Sequence, residues 1–261
     1  MKIASWNIAG CHKFNGTISD SLTYDKEDLG YFSNKLKQEN LDFIGLQESL
    51  TSIQNPRERQ ADDLAVNLKM KVLGNQPYGK SHFKNSHSLS LSNLSTLEHI
   101  KTYFHLWPNP GVTVIRPNGD TWVCYDVGAL VSEVKYENHI INLVNTHLTP
   151  FQYFNRDYKE PVFMAQRKDI SEFLISLQPN PTIVTGDFNY ANLELVFPMI
   201  FNNYQEAFKT ETAPGKGQQD HILYSNHWKL ESYEIQKHQA DHYLCKVELS
   251  LSGGVFDKKQ S

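Results

Sequence analysis

Thr182-Ile183-Val184-Thr185-Gly186-Asp187-Phe188-Asn189 is a short β-branched run that stops on a glycine and then presents an acid and an amide. Strand propensity followed by a Gly at which the backbone turns predicts a strand delivering Asp187 and Asn189 to a sheet edge. An acid and an amide placed there suit a hard cation or a general base. A single Gly-Asp pair is also an ordinary strand-to-loop turn, so the reading depends on whether other stretches repeat the arrangement.

They do. Ile44-Gly45-Leu46-Gln47-Glu48 ends on a carboxylate, and Ile141-Asn142-Leu143-Val144-Asn145-Thr146-His147 ends on an imidazole. Period-two alternation puts Ile44, Leu46 and Glu48 on one face, as it does Ile141, Leu143 and His147, and Ile183, Thr185 and Asp187. Rows of this kind fill the space between two packed sheets, so their polar ends are expected to converge at the rim of that core. Asn7, at the end of a first strand over residues 2–8, belongs with them. Asp220 and Asp241-His242 precede strands, but antiparallel pairing brings such N-terminal ends to the same edge.

Around these strands the pattern is mixed α and β. A polar loop through Gly10 and Gly16 leads to Asp25 as N-cap of a helix whose face is Leu29, Phe32 and Leu36. Asn55-Pro56 opens a second helix, with Ala61, Leu64, Ala65 and Leu68 at i, i+3, i+4 and i+7. Residues 71–146 read as successive short strands, with turns at Pro117-Asn118-Gly119-Asp120 and Glu137-Asn138. Pro161 starts a third helix carrying Ile170, Phe173, Leu174 and Leu177, and Pro179 and Pro181 stop it. Further strands are expected near 222–224, 228–236 and 243–249, so the second half echoes the first.

Length and composition bound the answer. The 261 residues fit one domain over 1–261, fraying at about 258–261, and 39% hydrophobic with 21% charged residues is a globular balance. No apolar run approaches bilayer length and no signal peptide opens the chain, which predicts no integral membrane association. Cys11, Cys124 and Cys245 are scattered, without Cys-x-x-Cys spacing, which fits a reducing, cytoplasmic setting. A net charge of −4 gives no global attraction to polyanions and leaves only a local basic groove for them. No Gly-x-Ser-x-Gly elbow, phosphate loop or His-Glu-x-x-His pair is present.

Trp6-Asn7-Ile8, Gln47-Glu48, Asn145-Thr146-His147-Leu148, Gly186-Asp187-Phe188-Asn189, Gln219-Asp220-His221-Ile222-Leu223 and Ala240-Asp241-His242 follow one another in order. Together they resemble the motifs of the endonuclease/exonuclease/phosphatase superfamily, from residue 6 to about residue 249. The resemblance implies a four-layer α/β/β/α sandwich of two mainly antiparallel mixed sheets, and Mg2+-dependent cleavage of phosphate esters, with Mn2+ as a substitute. It makes Glu48 the principal metal ligand, with Asn7 beside it and Asp241 in the metal region. Asp187 and His242 are both candidates for activating the attacking water, Asn189 and His147 for binding phosphoryl oxygens, and Asp220 for fixing His242. Taken singly, each has an ordinary reading: Asn7 satisfying a strand end, Glu48 in a rim ion pair, either histidine packed in the core.

Departures from the family pattern bear on substrate. Ser88-Leu89-Ser90-Leu91-Ser92-Asn93 stands where a strand ending in Ser-Arg or Ser-Lys is common, Ala240 replaces a Ser or Thr, and His221 follows Asp220. Tyr78 and Tyr103 fall in the region of a catalytic tyrosine without being assigned to it. The loop after His147 carries Phe151, Tyr153, Phe154 and Tyr158 with Arg156 and Lys159, and Tyr153, Arg156 and Lys159 are the expected substrate contacts. Nucleic acid is the first reading of that loop; insertion into a lipid interface and simple packing of the loop onto the domain are the others. For the chain as a whole a nucleic-acid phosphodiesterase is the first reading, a phosphatase or phospholipase acting on phosphoinositides or sphingomyelin the second, and a catalytically silent binding module on the same fold the third.

Overall fold

The computed structural model of the protein describes residues 1–14, 24–50, 60–78, 86–93 and 95–252. In chain order the strands are β1 (Lys2–Asn7), β2 (His12–Phe14), β3 (Tyr24–Glu27), β4 (Phe43–Leu50), β5 (Lys71–Pro77), β6 (Ser86–Ser92), β7 (Glu98–Leu106) and β8 (Thr113–Ile115). They continue as β9 (Thr121–Val123), β10 (Gly128–Tyr136), β11 (His139–His147), β12 (Thr182–Asp187), β13 (Tyr204–Glu206), β14 (Asp220–Ser225), β15 (Trp228–Gln236) and β16 (Leu244–Leu251). The α-helices are α1 (Leu29–Lys37), α2 (Gln60–Leu68), α3 (Met164–Ser176) and α4 (Leu193–Val196).

Two six-stranded sheets carry the fold, ordered β15-β16-β1-β4-β6-β5 and β13-β14-β12-β11-β10-β7. Each has one parallel pair at its centre, β1 with β4 and β11 with β12, flanked by antiparallel neighbours. A helix bridges each parallel pair, since a parallel connection must return across the sheet. The two halves are thus built alike, as the sequence predicts.

Alternation sorts the side chains into layers. Ile3, Phe43, Ile141, Leu143, Ile183, Ile222 and Val247 fill the space between the sheets. Ala4, Trp6, Ile44 and Leu46 turn outward onto Phe32 and Leu36 of α1 and Leu64 of α2. Val144, Val184 and Leu223 turn outward onto Ile170 and Leu174 of α3. The result is the α/β/β/α sandwich expected, each large buried side chain contributing about 1.5–3 kcal/mol. A polar strut joins the sheets near the rim: Gln47 Nε2 donates to Asn145 Oδ1 at 2.7 Å, and Asn145 Nδ2 donates to the Leu46 carbonyl at 2.9 Å.

Several local expectations are corrected. Asp28, not Asp25, caps α1, its Oδ1 accepting the Tyr31 N–H at 2.9 Å. The stretch read as polar loop contains the paired strands β2 and β3, and β13 was not foreseen. Gly186 marks no turn: β12 runs through it to Asp187, and a Cβ there would lie 2.8 Å from Thr146 Cγ2 on the adjacent strand. The backbone turns instead at Asn189, with φ 52°. Ser92 pairs with Phe43, so Asn93 lies at the end of the sheet opposite Glu48, and its lack of charge has no bearing on the site. Gly16, the Asn55-Pro56 helix start and the 258–261 chain end lie outside the described residues, as do the side chains of Ser88 to Ser90.

Candidate active site

Register brings the polar ends together. His147 pairs with Asp187 across the parallel β11–β12 ladder, and Asp187 pairs with Asp220 across the antiparallel β12–β14 ladder. The three side chains therefore stand side by side on the face turned toward the first sheet. From that sheet come Asn7, at the end of β1, and Asp241-His242, just before β16.

Glu48 reaches the same place by a different route. Ile44 and Leu46 face α1 and α2, so strict alternation would have sent Glu48 outward with them. The pairing of β4 with β6 shifts register between Leu46 and Ser49, and Glu48 has φ 56°. This bulge turns its carboxylate to the inter-sheet rim, a re-aiming typical of bulges beside functional sites. The strand then runs on to Leu50 instead of ending on the acid.

Asn7 ties the two sheets at the rim. Its Nδ2 donates to Glu48 Oε1 at 3.1 Å and to Asp187 Oδ2 at 3.0 Å, while its Oδ1 accepts the Ala9 N–H at 3.1 Å. The Ala9 donor fixes the amide orientation, so the Asn7 oxygen faces backbone and its NH2 bridges the two acids. Burial, followed by repulsion from Asp241, raises Glu48 above the usual carboxylate range, against the Asn7 hydrogen bond and the positive His242 and Lys216.

Two histidines flank Asp187 in opposite protonation states. Asn189 Nδ2 donates to the Leu148 carbonyl at 2.8 Å and lies 3.1 Å from His147 Nε2, so that ring nitrogen accepts. The proton is then on Nδ1, donated to the Tyr78 hydroxyl at 3.0 Å. Burial, with repulsion from His242, pushes His147 down to about 3 and keeps it neutral. Both amide hydrogens of Asn189 are taken in this arrangement, so Asn189 orients His147.

His242 is the charged one. Its Nδ1 donates to Asp220 Oδ2 at 2.8 Å, and its Nε2 lies 3.7 Å from Asp187 Oδ2. Burial opposes its charge, but Asp220 and Asp187 outweigh burial and hold its pKa well above the ordinary value. Asp220 Oδ1 is buried without a hydrogen-bond partner, and its backbone N–H is anchored on Thr212 Oγ1 at 2.8 Å. Asp187 is pushed up to about 7 by burial first, then by Asp220, against His242, Asn7 and the Asn189 N–H.

Among the described residues, Asp187, Asp220 and His242 form a buried group whose ligand-capable atoms lie within 4.8 Å of one another. The 2.8 Å hydrogen bond inside that group already uses His242 Nδ1 and Asp220 Oδ2. An oriented imidazolium explains it better than a ligand set. Glu48 and Asp241 fit a divalent cation instead, being oxygen donors close enough that the Asp241 charge raises Glu48.

Beside the centre lies a cavity of about 480 Å³ whose lining includes Tyr153, Arg156, Asn189, Tyr190, Lys216 and Gln219. Tyr153 and Arg156 thus line a cavity that also reaches Asn189, and Arg156 is paired with Glu160 at 3.0 Å. Lys159 stands outside that lining and pairs with Asp157 at 3.4 Å. Phe151, Phe154 and Tyr158 are buried core residues, leaving Tyr153 as the loop's half-exposed aromatic. Tyr78, Thr212 and Lys216 were not assigned from sequence, although Tyr78 falls, with Tyr103, in the region of a catalytic tyrosine.

The sequence model described as Endonuclease/Exonuclease/phosphatase family matches residues 4–242. No curated protein matches the chain. Among solved structures, the endonuclease/exonuclease/phosphatase from Bacteroides vulgatus superposes with TM-score 0.68 at 19% identity, covering 96% of this chain and 98% of that one. The human Nocturnin catalytic domain gives TM-score 0.69 at 15% identity, over 97% and 93% of the two chains. A mannosyl-6-phosphatase from Bacteroides thetaiotaomicron gives 0.62 at 16%, over 96% and 100%. At these identities the likeness is one of fold. No helix among the described residues is long and apolar enough to cross a membrane.

Proposed function

The chain belongs to the endonuclease/exonuclease/phosphatase family, and from that premise we propose that it is a Mg2+-dependent hydrolase of phosphate esters, acting on phosphodiester bonds of nucleic acid. The observation that carries the reading is the placement of Asp187 between an imidazolium and a neutral imidazole, with Glu48 3.9 Å from His147 Nε2. A catalytically silent scaffold has no physical need to gather these groups at one rim.

Glu48 and Asp241 would hold the cation. Bound there, Mg2+ would supply Lewis-acid polarisation of a phosphoryl oxygen and offset its growing charge. Asp187, with its pKa raised toward neutrality, takes the proton of the attacking water at Oδ2. Its other oxygen is held by the Asn189 N–H at 2.8 Å, which fixes the carboxylate plane. His242 directs its Nε2–H into the 3.7 Å gap before Asp187 and donates to a phosphoryl oxygen. Asp220 sets the tautomer of His242 and supports its charge, as a carboxylate behind an imidazole does. His147 and Asn189, locked to each other, keep the opposite wall uncharged and in place.

The test is a substrate panel of bis(4-nitrophenyl) phosphate, plasmid, single-stranded DNA, RNA, a phosphoinositide and sphingomyelin. Hydrolysis should vanish in EDTA and return with Mg2+ or Mn2+. Undiminished turnover in chelator, or no hydrolysis of any ester, would overturn the reading.

A further inference from the structure

The cavity beside Asp187 has a construction that the hydrolytic chemistry alone does not require. Its floor is rigid: Phe151 and Tyr158 are buried and stacked at 4.3 Å with planes 9° apart, and the Tyr158 hydroxyl donates to Gln166 Oε1 at 3.1 Å. Above that floor, Tyr153 and Tyr190 are each half-buried, so ring surface remains open to a ligand. Asn189 belongs both to this lining and to the catalytic centre, which makes the two spaces continuous.

Lys216 stands at their junction, and the backbone is shaped to put it there. Gly215 and Gly217 flank it with φ 64° and 74°, a conformation that L side chains adopt only with strain. A Cβ on Gly217 would meet nothing within 4 Å, so the glycine serves the backbone angle and not close packing. The turn is closed by Thr212 and Ala213 N–H groups on the Gly217 carbonyl, each at 3.1 Å. It is fastened to the catalytic strands as well. Thr212 Oγ1 accepts the Gln219 and Asp220 N–H groups at 2.8 Å, and its carbonyl accepts Tyr243 N–H at 2.6 Å. Burial disfavours the ammonium of Lys216, but Tyr153, Asp241 and Asp187 outweigh it and keep the side chain charged.

A volume of about 480 Å³ is in the range that holds one compact group, and it is too small for a length of duplex. Tyrosine faces attract a flat π-system, and a fixed cation at the junction attracts phosphate. The one acid in the lining, Asp157, is paired with Lys159 and does not repel an anion strongly. Resting on the hydrolase reading above, we propose that this cavity is a subsite for a single nucleobase, with Lys216 contacting the phosphate of the same nucleotide. The substrate is then a nucleotide unit already free of its stack, at a strand end or in solution, and not the interior of an intact duplex.

Calorimetric titration with adenosine 5′-monophosphate, adenosine 3′-monophosphate and ribose 5-phosphate, in Mg2+ and in EDTA, tests this without relying on turnover. At least one adenosine monophosphate should bind about 10-fold or more tightly than ribose 5-phosphate, the margin one stacked base supplies. Tyr190→Ala and Tyr153→Ala should each shrink that margin, and Lys216→Gln should weaken all the phosphates by a similar factor of about 10. Equal binding of nucleotide and sugar phosphate by the unaltered protein, or binding of neither, overturns the subsite whatever the variants do. Metal-dependent cleavage of bis(4-nitrophenyl) phosphate would then leave the hydrolase reading standing. Base-dependent binding without cleavage of any ester would do the reverse.

Discussion

Gly45→Ala is the most direct probe of how closely the two sheets must approach below the catalytic rim. A Cβ on Gly45 would overlap Thr185 Oγ1 and come within 3.0 Å of Asn145 Oδ1 and 3.1 Å of Asn145 Cγ. Neither neighbour is free to yield. Thr185 Oγ1 donates to the Val144 carbonyl at 3.0 Å, and Asn145 is the strut that receives Gln47 and donates to Leu46. Forcing a methyl group into a packed core costs about 1–3 kcal/mol, and rotating Thr185 away forfeits about 1 kcal/mol of hydrogen bonding. Replacing Gly in a strand returns about 0.5–1 kcal/mol of backbone entropy, so the net loss is about 1–3.5 kcal/mol. For a chain of this size that lowers Tm by about 2–14 °C. Urea unfolding of wild type, Gly45→Ala, Thr185→Ala and the double variant measures the coupling. Because Thr185→Ala removes the overlapping atom, the double variant should be at least about 1 kcal/mol more stable than additivity predicts. A single variant within about 0.5 kcal/mol of wild type, or strict additivity, would refute the claim that these atoms set the sheet separation.

Glu48→Gln should keep the fold and raise the Mg2+ concentration needed for half-maximal rate; an unchanged metal dependence would remove Glu48 from the ligand set. His242→Ala should abolish most of kcat/KM at saturating Mg2+ and Asp220→Asn should impair it too, with the double variant little worse than the poorer single one. Full additivity would separate the pair. In metal-free protein, buried neutral His147 binds its proton only near pH 3, whereas the unfolded chain binds it near 6.5. At this residue the unfolded state therefore holds more protons between those values, so the His147 contribution to stability falls as pH drops from about 6.5 toward 3, by up to a few kcal/mol, while Asp187, raised to about 7, contributes with the opposite sign. Urea midpoints across that window should fall less, or rise more, with decreasing pH for His147→Gln than for wild type, and parallel curves would refute the assignment.

The second sheet was the more legible half. His147, Asp187 and Asp220 sit on regular strands, where alternation and pairing register alone decide which way a side chain points. Glu48 was found for an incomplete reason: its motif was visible, but the alternation used to place it fails at the bulge. Short motifs record residue order and say nothing of a φ of 56°. Lys216 was invisible because its position depends on a glycine-flanked turn hung from Thr212, a tertiary fact with no periodic trace. Of the readings open for the loop aromatics, packing holds for Phe151, Phe154 and Tyr158, which fill the core that the loop covers. Composition cannot distinguish a stacking platform from a buried floor.

The pairing of β1 with β16, and the Trp6 indole N–H on the His242 carbonyl 236 residues away, also govern how the protein is made. Among the described strands β1 leaves the ribosome before the others and its partner β16 after them. Until β16 has been made, one edge of β1 has no partner and the His242 side of the rim does not exist. The nascent chain is accordingly inert until that strand has emerged, and its exposed β1 edge is a point at which a chaperone, or another nascent chain, can engage it.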